Sequence, residues 1–520
     1  MDDEIADVTV VGGGDVGLLT ALSIRQVNPD VRVRVVDDFQ REIPQVGKST
    51  YREIQQLLHG SLGIDESRFI SEVKPVWKAS VYFRDWCGRP EFHYPFDPPD
   101  KYPSAGTPNA LEHYYYLYEE AHASPDHLTR CEAIVDHASS PWFYGPNGDL
   151  DRYDKVAYHL DTERFNTFLR TLCRERGISL VDDEIVDVET DGNRIVTIRS
   201  RGQQYESDLY VDATGFSRVL RSEQDVAFRD FGFPLDSALN VRIDRGLADV
   251  IPATIVESGD HGWFWHIDTY DDRDLGYVYA SDYVSDEDAL DEFRAYVDSV
   301  DPAAPSAGAS GGAGSVLDAD DVDHYEFTAG YFEQAWVENC LAIGNAEGFV
   351  EPLQSTALTA NTSLAVQFAN LLSSRGQRVD DDARDAYNTA VSRTWESIHD
   401  FVGVHYSYST GDTPFWRDVG GMHVSDRVGR IDAAFDRYGY DWTVDIPDDE
   451  GFADLKVFSL PDFYTIMRNL GVDSAFYESL DVTVSDDVER SETERYRQIR
   501  DQVATNHLTT RELYQGVLNF

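Results

Sequence analysis

The feature that most restricts how this chain can fold is its opening βαβ pattern. Residues 7–11 (Asp-Val-Thr-Val-Val) read as a short strand and Gly12-Gly13-Gly14-Asp15-Val16-Gly17 as a tight turn. A helical stretch to about Gln26 and a second strand over 31–36, ending in Asp37, complete the unit. Glycines at Gly12, Gly14 and Gly17 let the backbone approach a pyrophosphate at the helix N-terminus, and Asp37 is placed to accept hydrogen bonds from an adenosine ribose. A carboxylate there disfavours a 2′-phosphate, so FAD or NAD fits this unit better than NADP.

Residues 208–215 (Asp-Leu-Tyr-Val-Asp-Ala-Thr-Gly) form a second strand ending at a glycine turn. Leu341-Ala342-Ile343 followed by Gly344-Asn345-Ala346 form a third. Together the three resemble the repeated sheet of FAD-dependent monooxygenases, the p-hydroxybenzoate-hydroxylase type of Rossmann-like fold, in which separate turns converge on one flavin. After the third turn, Pro352 stiffens the chain and Ser355 or Thr356 is expected to cap a helix. Free backbone N–H groups there would favour an anion, either flavin pyrophosphate or a halide.

Composition narrows the class. The 520 residues carry 95 Asp and Glu against 44 Lys and Arg, a formal net charge of −51. Lysine is confined to Lys48, Lys74, Lys78, Lys101, Lys155 and Lys456. Acid spread along the whole chain suits a cytoplasm at molar salt, where screening shortens to ~3 Å and self-repulsion is muted. It argues against nucleic acid as a partner. Cys87, Cys131, Cys173 and Cys340 lie far apart, without metal or redox spacing, and are expected to be free thiols in a reducing compartment. No metal site is expected. The first strand begins almost at once, which leaves no room for a signal peptide, and no apolar run approaches the ~18–20 residues that span a bilayer. The expectation is a cytoplasmic protein with no membrane partner.

The expected architecture is α/β. Residues 1–375 form an FAD-binding Rossmann-like domain with an inserted mixed β-sheet, to which the aromatic strand segments 78–84 and 263–280 contribute. Residues 376–520 form a helical, substrate-side region with breaks near Gly411, Gly420-Gly421 and Pro447. Residues 302–315, rich in Ala, Gly and Ser, read as a flexible surface loop.

Several further motifs, taken in order, resemble the flavin-dependent tryptophan halogenase family. Trp77-Lys78-Ala79-Ser80-Val81-Tyr82-Phe83-Arg84-Asp85-Trp86 is similar to the family's lysine strand. Gly262-Trp263-Phe264-Trp265-His266-Ile267 matches most of its W-x-W-x-I-P signature, with Asp268 in place of proline. Tyr158-His159-Leu160-Asp161 and His405-Tyr406, the latter followed by Asp412-Thr413-Pro414-Phe415-Trp416-Arg417-Asp418, follow two more of its motifs. The resemblance implies an enzyme that uses FAD, delivered as FADH2 by a separate and transient flavin reductase, with O2 and chloride or bromide, to halogenate an aromatic small molecule such as an indole, phenol or pyrrole. It implies that Lys78 carries the oxidant, a role that a buried amine of lowered pKa suits. Ser355, Thr356 and Ala357 would frame the halide. The ADP half of FAD falls to Gly12, Gly14, Gly17 and Asp37, with Lys48, Ser49 and Thr50 also on the cofactor. Asp212, Gly215, Gly344 and Asn345 belong near the ribityl and ring end. Trp263 and Trp265 would wall the flavin from the substrate, and His93, Tyr94 and Phe96 would line the substrate's pocket. A homodimer is an open alternative to a monomer.

Two residues depart from the family's pattern. Its G-N-A-x-x-F-V-E-P-L-E-S-T carries a second glutamate where this chain has Gln354, and an amide accepts hydrogen bonds but is no general base. Glu347 is an extra acid nearby in sequence and a candidate catalytic group beside Gln354. The family's V-G-E-A-T becomes Val46-Gly47-Lys48-Ser49-Thr50, which puts a lysine where a glutamate is usual. One expectation is that Lys48 compensates for the carboxylate missing at position 354. Two other chemistries remain open at this point: flavin-dependent monooxygenation on the same fold, and a flavin-binding paralogue that does not halogenate.

Overall fold

The computed structural model describes residues 3–41, 47–89, 91–97, 111–113, 115–116, 129–247, 250–300, 322–439, 457–479 and 482–518. The expected loop at 302–315, the break at Pro447 and Val46 of the lysine-for-glutamate motif lie outside them. The chain forms two compact units, each assembled from three segments: Met1–Pro75, Leu160–Asp236 and Glu326–Glu396 in the first, Val76–His159, Ser237–Tyr325 and Ser397–Phe520 in the second. By this grouping residues 376–396 belong with the nucleotide-binding sheet, while the 76–159 and 237–325 segments belong with the C-terminal helices.

The first unit is built on a six-stranded sheet in the order Ser179–Asp182, Arg32–Asp37, Asp7–Val11, Leu209–Asp212, Cys340–Ala342, Trp336–Val337. Its first five strands run parallel and only Trp336–Val337 is antiparallel. The central strands are valine- and leucine-rich and buried on both faces, as a parallel sheet covered by helices requires. Helix Asp15–Val27 follows the first glycine turn, one residue longer than the sequence pattern indicates, and helices Thr162–Glu175 and Ala357–Ser374 share this unit with it. Three glycine turns therefore leave the carboxyl ends of three neighbouring parallel strands, where open α/β sheets bind ligands.

The second unit is dominated by a seven-stranded sheet ordered Asp323–Glu326, Ser237–Asp244, Asp272–Tyr279, Gly262–Asp268, Ala253–Ser258, Ser80–Phe83, Phe92–Pro95. Alternation along Gly262–Asp268 sends Trp263 and Trp265 to one face, their rings 6.1 Å apart. Phe264 goes to the other, stacked on Tyr277 at 4.3 Å and on Tyr296 of helix Asp286–Val300 at 4.2 Å. A separate antiparallel pairing sets Val76–Lys78 against 157–159 of strand Ala157–Leu160, with Lys78 opposite Ala157 and Val76 opposite His159. All four cysteines are free. Among the described residues no helix is long and apolar enough to cross a membrane.

Trp265 dictates a glycine on the next strand. Its indole donates to Asp274 Oδ1 at 2.6 Å and lies across Gly276, where an added Cβ would meet the ring at 1.9 Å. Gly276→Ala is expected to destabilise the protein by ~1–3 kcal/mol, the scale of overpacking a rigid core. The urea midpoint at constant salt should fall with an unchanged slope.

Candidate functional site

The glycine loop of the first unit is a cradle shaped by contacts that exclude side chains. Gly12 has φ +106°, and a Cβ there would lie 2.4 Å from the Ala213 carbonyl oxygen. A Cβ on Gly17 would lie 2.1 Å from the Gly12 carbonyl oxygen. Around Gly14, the helix N-cap, nothing lies within 4 Å of the corresponding position, so the loop is open on that side. Asp37, at the end of the second strand, accepts from the Gly13 N–H at 2.8 Å, which ties the turn to its neighbour while leaving the carboxylate partly exposed. Burial raises its pKa. These residues fit the adenosine and diphosphate of a dinucleotide.

Asp212 has a different task from the one the sequence suggests. It is fully buried, and its oxygens accept from Thr214 N–H (3.0 Å), Thr214 Oγ1 (2.6 Å), Leu220 N–H (2.8 Å) and Arg221 N–H (2.8 Å). With four donors from its own loop, the carboxylate organises the turn through Gly215 and has no capacity left for a flavin. Gly215 (φ +63°) has open space beside its Cα, and Gly344 (φ +70°) donates its N–H to Asn361 Oδ1 at 2.9 Å. Asn345 follows it half-buried.

In the 351–356 turn, the buried Glu351 accepts from Leu353 N–H at 3.0 Å, and Ser355 N–H donates to Pro352 O at 3.0 Å. Gln354 (φ +70°) and Ser355 (φ +57°) are both left-handed, a costly conformation for residues with side chains. Helix Ala357–Ser374 follows with no side-chain cap, so neither Ser355 nor Thr356 caps it as expected. The left-handed residues re-aim the chain instead. Because the positive φ falls on 354 and 355, Ala357 at the first helical position carries no backbone penalty. Gln354 is 1% exposed.

Glu347 is fully enclosed and accepts from the indole N–H of Trp395; its other oxygen has no hydrogen bond. Burial raises its pKa to about 8, outweighing the Trp395 hydrogen bond and the attraction of Arg221 and Arg218. At neutral pH burial therefore favours its protonated form.

In the second unit, Lys78 is 0% exposed, and its ammonium position lies 5.2 Å from the centre of the Phe96 ring. Burial pushes its pKa well below the ordinary lysine value. His159 shares its strand face, diagonally across the antiparallel pair. Its Nδ1 is 3.0 Å from the Asp268 carbonyl oxygen, an obligate acceptor, so the proton sits on Nδ1 and Nε2 accepts from Thr254 Oγ1 at 3.0 Å. Burial takes its pKa down to about 3, so it adds no second cation beside Lys78.

Of the three expected pocket residues, Phe96 lies under the Lys78 amine. His93 is held by Ser80 Oγ at 3.0 Å and stacked on Tyr82 at 4.3 Å. Tyr94 is 2% exposed and donates to Asp462 Oδ1 at 2.9 Å. Both rings are committed to packing, because adjacent residues of one strand point to opposite faces and each finds protein there.

Sequence reasoning also missed Asp15 and Asn166. Asp15 is buried at the head of the first helix, accepts from Asn166 Nδ2 at 2.9 Å and pairs with Lys48 at 3.5 Å. The acidic residue inside the glycine motif was the available signal.

A two-unit protein with a dinucleotide cradle and a buried lysine strand has close counterparts. The tryptophan halogenase family model matches residues 7–485, and the chain belongs to that family. The 7-chloro-L-tryptophan 6-halogenase of Kutzneria sp. (strain 744) is 26% identical over 477 residues, covering 85% of this chain and 86% of that protein. The tryptophan 7-halogenase of Lentzea aerocolonigenes is 27% identical over 454 residues, covering 82% and 81%. Among solved structures, a tryptophan C-6 flavin-dependent halogenase from taromycin biosynthesis superposes with a TM-score of 0.80 at 25% identity, over 98% of each chain. A lathipeptide tryptophan 5-halogenase gives 0.80 at 26% identity, over 98% of this chain and 93% of that one. The protein is thus a flavin-dependent halogenase by family, an enzyme class that works with FADH2, halide and a separate flavin reductase.

Glu347 generates a pH prediction. Its carboxyl titrates near 4.5 when unfolded and near 8 when folded, so between these values the unfolded chain loses a proton that the native state keeps. Its contribution to stability is full below pH 4.5 and declines as pH rises toward 8, by up to ~1.4 kcal/mol per pH unit. Urea melts at pH 5 and pH 8 should show Glu347→Gln gaining on the wild type at the higher pH. Parallel curves would refute the buried neutral acid.

Proposed function

We propose that the protein halogenates an activated aromatic small molecule, a phenol or pyrrole in preference to an unactivated indole, and that Lys78 holds the oxidant at the reacting ring. The observation that carries this reading is the buried, deprotonation-prone Lys78 over Phe96. When bound, FADH2 supplies, with O2, one halide and one proton, a hypohalous acid and water, leaving FAD. The ring then exchanges one hydrogen for the halogen and releases a second water. A neutral lysine amine donates a hydrogen bond to the hypohalous acid or takes up its halogen, where an ammonium would offer no lone pair. Phe96 shields the amine from water, which protects the oxidant from side reactions.

Gly12, Gly14, Gly17 and Asp37 hold the ADP half of FAD, and Gly215, Gly344 and Asn345 approach the ribityl and ring end by backbone. Ser49 and Thr50 continue the cofactor contacts. The halide sits against Ser355, Thr356 and Ala357, at the start of helix Ala357–Ser374. Trp263 and Trp265 form an aromatic wall. Gln354 supports the substrate preference: an amide cannot take the ring proton, so a phenol hydroxyl or pyrrole N–H conjugated directly with the reacting carbon, which the benzo ring of an indole lacks, must make that loss easy. The reductase partner is transient, and a salt-rich cytoplasm would keep chloride available to a weak site.

Turnover with chemically reduced FAD, O2, halide and a panel of phenols, pyrroles and indoles, read by mass, tests the reading. No halogenated product from any member, with flavin bound, would favour flavin-dependent monooxygenation or a non-halogenating role. NAD(P)H alone should leave the bound flavin oxidised; its reduction would point to a single-component hydroxylase. Lys78→Met is expected to lower product formation by roughly 10²–10⁴-fold, the scale of removing a group that acts at the reacting atoms. FAD affinity should be unchanged. Gln354→Glu should raise turnover on indole more than on phenol, and an equal effect on both would discount the base-free substrate class.

A further inference from the structure

The dinucleotide loop carries a charge that its task does not explain. Asp15 stands at the first position of helix Asp15–Val27, its side chain 3% exposed, beside the glycines that would receive a diphosphate. A carboxylate there draws on the same helix field as the phosphates and repels them. Its Oδ1 is satisfied by Asn166, whose amide also reaches the Gly13 carbonyl at 3.2 Å. Its Oδ2 is buried without a hydrogen bond and faces the Lys48 ammonium at 3.5 Å. The rest of the loop shows the same matching. Asp37 accepts from Gly13 N–H, and Arg170, close enough to attract both Asp37 and Asp15, lies 4.7 Å over the Phe39 ring. Asp15 and Asp37 thus each have a cation within electrostatic reach.

We infer that Lys48 is the resident counter-charge of Asp15, and that it sets flavin affinity by neutralising that buried carboxylate rather than by replacing the carboxylate absent at position 354. The inference rests on the proposed FAD site and makes the charge at position 48 a consequence of the acid at position 15. A buried charge deprived of its partner is far more costly than the loss of the pair as a whole. The two residues should therefore be strongly non-additive in cofactor binding, with loss of both together costing less than loss of Lys48 alone.

The test is a double-mutant cycle on the full-length protein at fixed molar KCl. FAD binding is followed by titration calorimetry, with thermal melts to establish that each variant is folded. Lys48→Gln is expected to weaken FAD at least about tenfold by exposing the phosphates to an uncompensated Asp15, more so at lower salt. Asp15→Asn should bind FAD as tightly as the wild type or more so. The double variant should return to within about threefold of the wild type, the signature of coupled neighbours. Adenosine diphosphate, which presents the diphosphate without the flavin ring, should reproduce the pattern. A double variant as weak as Lys48→Gln would mean that Lys48 grips the phosphates directly, and overturns the inference. So would a Lys48→Gln protein with unchanged affinity. If the folded wild type binds neither FAD nor adenosine diphosphate, the flavin site itself falls, an outcome distinct from failure of the cycle.

Discussion

The close approach of the first two glycine turns is the constraint on which the nucleotide-binding unit depends. The strands Asp7–Val11 and Leu209–Asp212 are adjacent and parallel, so their exits collide unless one of them lacks side chains. Gly12 meets this condition by passing within van der Waals range of the Ala213 carbonyl, and Gly17 by packing onto Gly12. Asp212 then fixes the second exit through four hydrogen bonds, and the Ile343 N–H to Asp212 carbonyl bond (2.9 Å) ties the third exit to the second. A cofactor cradle is built here from backbone, and the side chains that look like ligands largely serve to hold that backbone in place.

Burial is the common physical cause behind the shifted pKa values of Lys78 and Glu347. It drives Lys78 toward the free amine and Glu347 toward the neutral acid, because each environment penalises whichever form is charged. For Lys78 burial favours the uncharged amine. For Glu347, with guanidinium groups nearby and an indole donor on one oxygen, the same effect favours the neutral acid. The two residues obey one rule, with burial favouring the uncharged form of each.

This separates what could be read from sequence from what could not. The glycine motif, the parallel strands and the lysine strand were legible because each is a local pattern: spacing, alternation and a rare residue type in an apolar run. The roles of Asp212, Glu347, His93 and Tyr94 were not, because they depend on which atoms saturate the side chain, and those atoms come from residues remote in sequence. Asp15 is the clearest case. It sat in plain view inside the motif, yet its meaning emerges only once Lys48, far along the chain from it, is seen at ion-pair distance. The charge change at position 48, read alone, pointed toward Gln354.

Asp268, where the family signature has proline, carries two separate sets of contacts. Its carboxylate is fully buried yet well matched: His266 Nε2 at 3.0 Å, Arg273 Nε at 2.9 Å, Arg245 alongside and the Ile251 N–H at 2.9 Å. Those contacts hold the pKa of Asp268 below the usual carboxylate range despite the burial. The contact that bears on Lys78 is a different one, from His159 Nδ1 to the Asp268 backbone carbonyl. A proline at this position would also carry a backbone carbonyl, although its ring fixes φ and removes the backbone N–H. What the lysine's surroundings require is therefore a main-chain acceptor, which either residue supplies. The side chain joins a buried ion cluster of its own with His266, Arg273 and Arg245.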